Sequence, residues 1–411
     1  MEVAPLQVHV IEQGVEKQEE AVEVPMTSPP APGTLVPLFM KDALSKFGHN
    51  QYGQIVLTSC DLRDLGLSDI SLLQQYVFLQ RINVDGNNLT DLSALSSLTS
   101  LIYISAKNNK LTNSAFSDLA PCSGSLERIH FDFNKITSLA GLSKLSYLID
   151  LTATHNEIES IRAVDVENMH SLMRVDLADN NISNIELHAF AGAPNVRHLD
   201  LSRNHLSDIL FVSYLTENLE VLLLNGNSIT QLGNSFALCK SLTTLDLSSN
   251  HIASLNALRP LSSVKSLRVL SFKENECIEK FTNELSPDTS AAQLGEEKEE
   301  EEMLSRSELV MEDPVQREQH QGTQVQAEST QGPQYADFSS AATSSVARKL
   351  LTAPQKVDIP VNVEKRTELN RKTPRERASL WLLYTIPQLI RLNGEDITSA
   401  EVGQAEYLFS P

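Results

Sequence analysis

The 411-residue sequence is short of aromatic residues, of basic relative to acidic residues, and of long apolar runs. Only 5% of its residues are aromatic although 41% are hydrophobic, which predicts a core built from aliphatic side chains. The formal charge of −20 argues against nucleic acid and anionic membrane surfaces as direct partners, because phosphate binding needs clustered Lys and Arg. No apolar run approaches the roughly 20 residues that span a bilayer.

Cysteines are few and scattered, and no pair has the CxxC spacing. Neither a disulfide framework nor a zinc site is indicated, and the sequence predicts no cofactor. The N-terminal stretch MEVAPLQVHVIEQGVEKQEE is acidic and lacks the basic start and apolar block of a signal peptide. These features predict an intracellular protein with reduced thiols at its four cysteines, Cys60, Cys122, Cys239 and Cys277.

What the sequence has in abundance is a periodic pattern of leucine and asparagine. The stretch LTTLDLSSNHI, residues 242–252, follows the spacing L-x-x-L-x-L-x-x-N-x-L. Ten copies occur, and the first is a weaker one over 52–62 with cysteine at the asparagine step. This is the leucine-rich-repeat signature. The asparagine steps, 22 to 27 residues apart, are Cys60, Asn87, Asn109, Asn134, Asn156, Asn180, Asn204, Asn227, Asn250 and Asn275.

The spacing predicts an α/β solenoid, a leucine-rich-repeat horseshoe of about ten repeats. The x-L-x-L-x part alternates as a half-buried strand does, so we expect a parallel β-sheet on the concave face. Short helices or 3₁₀ turns would return along the convex face. One repeat cannot bury its leucines alone, so stacked repeats share a core. A buried asparagine supplies both a donor and an acceptor to the backbone of the turn, which predicts an asparagine ladder.

Composition divides the chain into five segments. Residues 1–35 are acidic and are expected to be disordered, and VPLFMKDALSKF at 36–47 has helical spacing and predicts an N-terminal cap helix within 36–51. The solenoid is expected over 52–284. Residues 285–372 are expected to form a long disordered acidic insert, since 284–337 alone holds 14 acidic and 3 basic residues. A helical cap is then expected over 373–411.

The C-terminal segment admits two interpretations. In the first, RERASLWLLYTI is a helix, and Leu389, Leu392 and Ile397 follow part of the strand pattern of the repeats. Residues 373–411 then close the solenoid, and the insert forms a loop between the last repeat and this cap. Such a loop is tolerable because closure costs only (3/2)RT ln n. In the second, the solenoid ends at 284 and the terminal helix is unattached. Trp381 would be buried in the first case and exposed in the second.

The concave strand face is the candidate binding surface. Residues between the strand leucines, and those two positions away, point toward it. Its central column reads Asn83, Ser105, His130, Thr152, Asp176, Asp200, Leu223, Asp246 and Ser271, and the column beside it runs from Arg81 to Val269. Arg and Tyr are enriched where interface energy concentrates. The candidate protein-binding residues are therefore Arg81, Tyr103, Arg128, Arg174 and His198, although an ordinary polar strand face is the alternative.

No catalytic constellation is recognisable in the sequence. A Gly-rich phosphate loop, HExxH, GxSxG and a Cys/His pair of catalytic spacing are all absent. The protein is therefore expected not to be an enzyme, and to bind other proteins, because solenoids supply extended concave surfaces.

Residues 44–112 carry a resemblance to a known family. A short pre-repeat helix, a DL-x-D turn, LL-x-x-Y-x-x-L and LTDLS-x-L-x-x-L resemble the start of the leucine-rich-repeat-containing protein 23 family. That family comprises radial-spoke proteins of cilia and flagella. The resemblance covers roughly residues 40–280 and the cap, and the acidic insert departs from it. It implies an axonemal scaffold, needed for motility, whose partners are other spoke subunits.

Two further functions remain open at this stage. Intracellular repeats of this kind also occur in a phosphatase-1 regulator and in a spliceosomal scaffold, so a soluble adaptor for a phosphatase or a ribonucleoprotein is the second hypothesis. Direct contact with tubulin is disfavoured in either case, because the tubulin surface and this chain are both acidic. The third hypothesis is an enzyme with an active site in the insert. It is disfavoured because a low-complexity segment cannot bury such a site.

Overall fold

The computed structural model describes residues 31–50, 52–215, 217–280 and 363–410. The disorder predicted for 1–30 and for 285–362 lies outside these ranges. Within them the chain forms one long sheet and one short one. The strands are β1 (Leu44–His49), β2 (Ile55–Asp61), β3 (Arg81–Asn83), β4 (Tyr103–Ser105), β5 (Arg128–His130), β6 (Asp150–Thr152), β7 (Ser160–Ile161), β8 (Arg174–Asp176), β9 (Asn184–Ile185), β10 (His198–Asp200), β11 (Val221–Leu223), β12 (Thr244–Asp246), β13 (Val269–Ser271), β14 (Arg391–Leu392) and β15 (Glu395–Asp396).

The long sheet follows the order of the chain. It has 13 strands, from β1 to β15 without β7 and β9, which pair with each other elsewhere. From β2 to β14 every pair is parallel and in register, with the middle residues Cys60, Ile82, Ile104 and Ile129 side by side at the start of the row. Strand β1 and strand β15 are each antiparallel to their single neighbour. The ten strands from β2 to β13 in this sheet are the expected ten repeats.

The return segments are short and mostly 3₁₀. Eight 3₁₀ helices occur among the described residues: Ser71–Gln75, Ser93–Leu95, Ala120–Cys122, Leu142–Lys144, Ala163–Asp165, Ala189–Gly192, Leu210–Tyr214 and Leu255–Ser263. A repeat of 22 to 25 residues leaves little chain for anything longer. The α-helices are α1 (Pro37–Ala43), α2 (Ala115–Asp118), α3 (Glu276–Lys280), α4 (Val363–Asn370), α5 (Pro374–Thr385) and α6 (Ser399–Phe409).

The core runs continuously through the stacked repeats. From the second repeat onward the apolar residues of the signature are buried, and the core is aliphatic with a few phenylalanines from both signature positions and return segments. Phe116 packs on Phe131 with ring centroids 5.6 Å apart, and Phe190 packs on Phe211 at 6.0 Å. Each repeat therefore buries its apolar face only against its neighbours, as the periodic sequence predicts.

The N-terminal cap differs from the prediction of one helix over 36–47. Helix α1 ends at Ala43, and Leu44 begins strand β1, which pairs antiparallel with β2 through Leu44↔Cys60 and Phe47↔Leu57. Strand β2 would otherwise leave its outer backbone groups without partners, and β1 satisfies them. The boundary of the predicted disordered tail is also wrong, because Leu35 is buried and its N–H donates to the carbonyl of Asp69 at 2.9 Å.

The C-terminal segment closes the solenoid. Strand β14 pairs with β13 through Leu270↔Leu392, and Trp381 is buried, which is the arrangement of the first interpretation. Helix α5 begins with a capping box in which Thr373 and Glu376 bond each other's backbone N–H, and Pro374 occupies the first turn. The cap begins earlier than expected: α4 lies within the predicted insert, and its Leu369 is buried.

Candidate functional site

Nine asparagines form a ladder beneath the concave face. Asn134 shows the arrangement: its Nδ2 donates to the carbonyls of Ala106 and Phe131, both at 2.9 Å, and its Oδ1 accepts from the N–H of Leu111 at 2.9 Å. Each asparagine thus joins its own repeat to the preceding one, and all nine from Asn87 to Asn275 are buried. The ladder is structural, since its amide groups are satisfied by backbone and face away from solvent.

Cys60 does not belong to this ladder, contrary to the sequence prediction. It lies in strand β2 and pairs with Ile82, so it occupies the position of a strand leucine. The first repeat therefore runs five residues later than expected, through Leu57, Cys60 and Leu62, and Leu65 stands at the asparagine step. Burial raises the pKa of the Cys60 thiol to about 12, and Asp61 adds to the effect. A buried thiol of this kind is an inert apolar core group.

The residue before each ladder asparagine adopts a left-handed conformation, which the sequence analysis missed. These residues have φ between 51° and 70°, and all of them except Glu274 donate the backbone N–H to a carbonyl of the next repeat, as Phe133 does to Thr154 at 2.8 Å. Glycine and asparagine at some of these steps are the signal that could have revealed it. The set is Gly86, Asn108, Phe133, His155, Asp179, Arg203, Gly226, Ser249 and Glu274.

The predicted concave residues fall into two groups on the sheet. Arg81, Tyr103 and Arg128 lie side by side on β3, β4 and β5. Arg174 and His198 lie side by side on β8 and β10, and Asp150 of β6 separates the two groups. All five side chains are at least partly exposed. Because neighbouring strands lie about 4.8 Å apart, the full row spans roughly 24 Å.

The first group is a tyrosine between two arginines, and we call it the Arg–Tyr–Arg row. The guanidinium of Arg81 lies 5.8 Å from the centre of the Tyr103 ring. The Tyr103 hydroxyl lies 3.3 Å from Nδ1 of His130, and the two rings meet edge to face at 5.2 Å. Neither Arg81 nor Arg128 makes an ion pair with any residue the structure describes. The row therefore offers two arginines without a close ion pair on either side of an aromatic ring.

Asp150 is the electrostatic centre between the two groups. The pKa of the Asp150 carboxyl is lowered by His130, whose Nε2 lies 3.9 Å away. Burial opposes this shift, and Arg174 and Arg128 lower the pKa further. Arg174 lies between two carboxylates, 3.8 Å from Asp150 and 3.7 Å from Asp176. The Oδ1 atom of Asp150 is buried and receives no hydrogen bond among the described residues. The nearest cationic group to this oxygen is Nε of Arg174, at 3.8 Å.

A second exposed row borders the concave face at the turns that follow the strands. Phe133 stacks on His155 with centroids 4.1 Å apart, and His155 Nδ1 lies 3.6 Å from Asp179. Asp179 in turn holds Arg203 through two contacts of 2.6 Å and 2.7 Å. Phe133 is 48% exposed although its backbone is left-handed. We call these four residues the turn ridge; the sequence analysis did not select them.

The described part of the chain shows no grouping of three or more His, Cys, Asp or Glu side chains that could hold a metal ion. In the same residues no helix is long and apolar enough to cross a bilayer. On the concave face the five predicted side chains project from the sheet and are partly or largely exposed.

Comparison with known proteins identifies relatives of the repeat region. A family model described as leucine rich repeat matches residues 146–206, and one described as leucine rich repeats (2 copies) matches residues 217–260. Leucine-rich repeat-containing protein 23 of Bos taurus is 27% identical over 217 residues, and the Homo sapiens protein of that name is 28% identical over the same length. Each match covers 53% of this chain and 61% of the relative, so the chain spans about three-fifths of those relatives.

Two solved structures illustrate the similarity of this chain to proteins of known structure. An internalin of Listeria monocytogenes covers 51% of this chain and 65% of its own, with 24% identity and a TM-score of 0.43. A plant peptide hormone receptor solved in complex with a peptide covers 56% and 41%, with 19% identity and a TM-score of 0.45. Together with the strand register, the family models identify the fold as a leucine-rich-repeat solenoid that resembles leucine-rich repeat-containing protein 23.

Proposed function

We propose that this leucine-rich-repeat solenoid is a non-enzymatic scaffold that binds other proteins and serves as an axonemal radial-spoke component. The observation that carries the binding role is the Arg–Tyr–Arg row, in which Arg81 and Arg128 stand exposed without ion-pair partners on either side of Tyr103. The sheet fixes the backbone of these three residues, so docking of a partner has to order only their side chains.

The chemistry of the row favours a partner surface that carries carboxylates. Arginine presents several donors in a planar fork that matches a carboxylate, and the tyrosine ring adds apolar contact area. Asp150 lies beside Arg128 on the next strand and is partly exposed, so a partner surface that carries both carboxylates and hydrogen-bond donors fits best. Acidic groups on a partner would compensate the two cations that this chain leaves unpaired.

The axonemal assignment rests on the resemblance to the leucine-rich-repeat-containing protein 23 family. The resemblance implies a radial-spoke scaffold whose loss impairs motility more than ciliary length. The partners would be other spoke subunits, and the protein would reside inside the cell, in the cilium or flagellum.

The test is fractionation of tagged protein from flagellated cells, first with detergent and then with high salt. We expect the wild-type protein to stay with the detergent-resistant axoneme. The double variant R81E/R128E should be released into the soluble fraction, because charge reversal at both arginines repels an acidic partner. The matched control is K144E/K240E, which reverses two exposed lysines outside the concave face.

Each other outcome of this experiment counts against part of the proposal. Release of the wild-type protein by detergent, in cells with intact flagella, would favour a soluble adaptor, and the recovered complex should then be searched for a phosphatase or a ribonucleoprotein. Retention of R81E/R128E together with the wild-type protein would show that the Arg–Tyr–Arg row is not the docking surface. Proximity labelling of the retained protein would identify its neighbours.

A further inference from the structure

The other half of the concave face has a different character. One register position across four successive strands of the sheet holds three carboxylates and one leucine. We call it the acidic–apolar row: Asp176, Asp200, Leu223 and Asp246, on β8, β10, β11 and β12. All four side chains are partly exposed, so the row faces solvent from a rigid sheet.

The carboxylates of this row lack adequate cationic partners in their own chain. Asp200 accepts from the N–H of Ser202 at 2.8 Å, and Asp246 accepts from the N–H of Ser248 at 2.9 Å, each through Oδ1. Neither makes an ion pair with a described residue. Asp176 has only Arg174, at 3.7 Å and shared with Asp150. The Oδ2 atoms of Asp200 and Asp246 therefore remain available to cations from outside, whereas Oδ2 of Asp176 faces Arg174.

The centre of the row is apolar. Leu223 lies between Asp200 and Asp246 on the neighbouring strands, and Val221 lies beside it on the same strand and the same face. Val269 continues the apolar area two strands further along. An apolar centre with a carboxylate on each side is the surface complement of an apolar side chain between two basic ones.

We propose that the acidic–apolar row docks a basic amphipathic α-helix of a protein partner. The helix lies across the strands, along the axis of the solenoid. Its Lys or Arg side chains meet Asp176, Asp200 and Asp246, and one apolar side chain covers Leu223. Charge complementarity sets the orientation and register of the helix, and the apolar contact supplies buried area.

The spacing of the row gives the sequence pattern of that helix. Strands lie about 4.8 Å apart, so the four residues stand at roughly 0, 5, 10 and 14 Å along the row. A helix rises about 1.5 Å per residue, and steps of 3, 7 and 10 residues advance about 4.5, 10.5 and 15 Å on one face. The partner segment should therefore read basic at i and i+3, apolar at i+7 and basic at i+10.

This surface is separate from the Arg–Tyr–Arg row and does not rest on the axonemal proposal. The two rows occupy different strands of one sheet, with β6 between β5 and β8, and they differ in charge. A single solenoid would hold an acidic partner at its N-terminal half and a basic helix at its C-terminal half. The failure of either surface in a binding test leaves the other unaffected.

The experiment uses the full chain and a synthetic probe. The probe is an alanine-based, fluorescently labelled helical peptide with Lys at i, i+3 and i+10 and Leu at i+7. The control peptide has the same composition, with the lysines and the leucine spread around the helix. Binding is measured by fluorescence anisotropy at low salt, and we expect the patterned peptide to bind about tenfold more tightly than the control.

Paired variants assign the binding to the row. In D200N/D246N each asparagine keeps the Oδ1 atom that accepts from Ser202 or Ser248, so the fold is preserved, and this is checked by circular dichroism. We expect this variant to bind the patterned peptide about tenfold more weakly than the wild-type protein. R81Q/R128Q neutralises two charges on β3 and β5, outside the four strands of the row, and should not weaken binding of the patterned peptide.

Three results would overturn the proposal. The first is equal affinity for the patterned and control peptides, which would show charge attraction without register. The second is unchanged binding in D200N/D246N, which would place the peptide elsewhere. The third is no measurable binding of the patterned peptide at about millimolar concentration.

Discussion

The side-chain oxygen of Asn393 accepts a hydrogen bond from the backbone N–H of Phe272 at 3.0 Å, across 121 positions of sequence. In the inner repeats the equivalent N–H bonds a backbone carbonyl of the next strand, as Leu247 does to Ser271 at 2.7 Å. Asn393 also donates its own N–H to the carbonyl of Leu270 at 2.8 Å. A side-chain amide therefore completes the backbone ladder where β14 stops, and it attaches the cap to the last repeat.

Removal of Trp381 tests how much the cap contributes. Its indole is fully buried beneath the last repeat, with the guanidinium of Arg259 5.6 Å from the ring centre. We expect Trp381→Ala to lower the free energy of unfolding by about 3–5 kcal/mol, as large cavities in cores do. The measurement is urea denaturation with hydrogen exchange on β12 and β13. Ile390→Ala, an exposed residue of the same cap, is the control, and equal losses in both variants would contradict the assigned role.

One ladder asparagine can be compared with the asparagine beside it. Asn180 bonds the N–H of Ile158 and the carbonyls of Ala153 and Leu177, all within 3.0 Å, whereas the neighbouring Asn181 is exposed. Asn180→Leu should cost at least about 2 kcal/mol, because buried backbone groups lose their partners at about 1–3 kcal/mol each. Asn181→Leu should change the unfolding free energy little. Similar losses for the two substitutions would show that the ladder is not the cause.

One substitution in the turn ridge is expected to raise the stability of the protein. Phe133 has a φ of 59°, at a step where the preceding repeat has Asn108 with a φ of 51°. A left-handed conformation costs most residues roughly 1–2 kcal/mol, and asparagine tolerates it. Phe133→Asn should therefore raise the melting temperature, and Asn108→Phe should lower it. A decrease for Phe133→Asn would mean that its contact with His155 outweighs the backbone strain.

Two aspartates of the concave sheet should respond to pH with opposite signs. Burial and the neighbouring Asp200 raise the pKa of Asp176, so its folded state binds a proton more tightly than the unfolded chain. The stability it contributes is present below the unfolded pKa, about 3.9, and is lost as the pH rises through the folded pKa. Asp176→Asn should thus raise the melting temperature at about pH 7 and have little effect at about pH 3.

Asp150 provides the opposite case. His130 lowers the pKa of Asp150, burial opposes this shift, and the two arginines lower the pKa further. The stability that Asp150 contributes is therefore present above the unfolded pKa and is lost as the pH falls through the folded pKa. Asp150→Asn should lower the melting temperature at about pH 7, with a smaller effect in acid. Thermal scans of both variants over this range check the pair, and shifts of the same sign at neutral pH would contradict the electrostatic account.

The sequence predicted the repeat and its core from particular residues. Leu245 and Leu247 alternate into the core, Asn250 follows at a fixed step, and nine such copies needed no other information because each repeat contacts only its neighbours. The concave positions followed from the same alternation, which put Arg81, Tyr103 and Arg128 on adjacent strands. Which cations remain unpaired depended on side-chain geometry between repeats, and so had to come from the structure.

The errors lie where a contact specific to an end of the solenoid outweighs the local pattern. LFMKDALSKF has helical spacing, yet its second half pairs with β2 because the outer edge of that strand needs a partner. Cys60 stood at the expected spacing from Leu57, but Leu65 occupies the asparagine step there, and an end repeat has no preceding repeat for an asparagine to bond. Leu369 lay in a polar context, and its burial depends on the later helices of the cap.

At each end of the long sheet an antiparallel pair of strands ends the row of parallel strands, as a terminating group ends a polymer chain. Stacked parallel strands would propagate by adding one more identical unit, as a growing polymer adds monomers to a reactive end. Strands β1 and β15 are antiparallel to their neighbours, so the strand at each outer edge has the opposite direction to the strands of the repeats. A further repeat in the direction of the others therefore cannot continue the row of parallel strands at either edge.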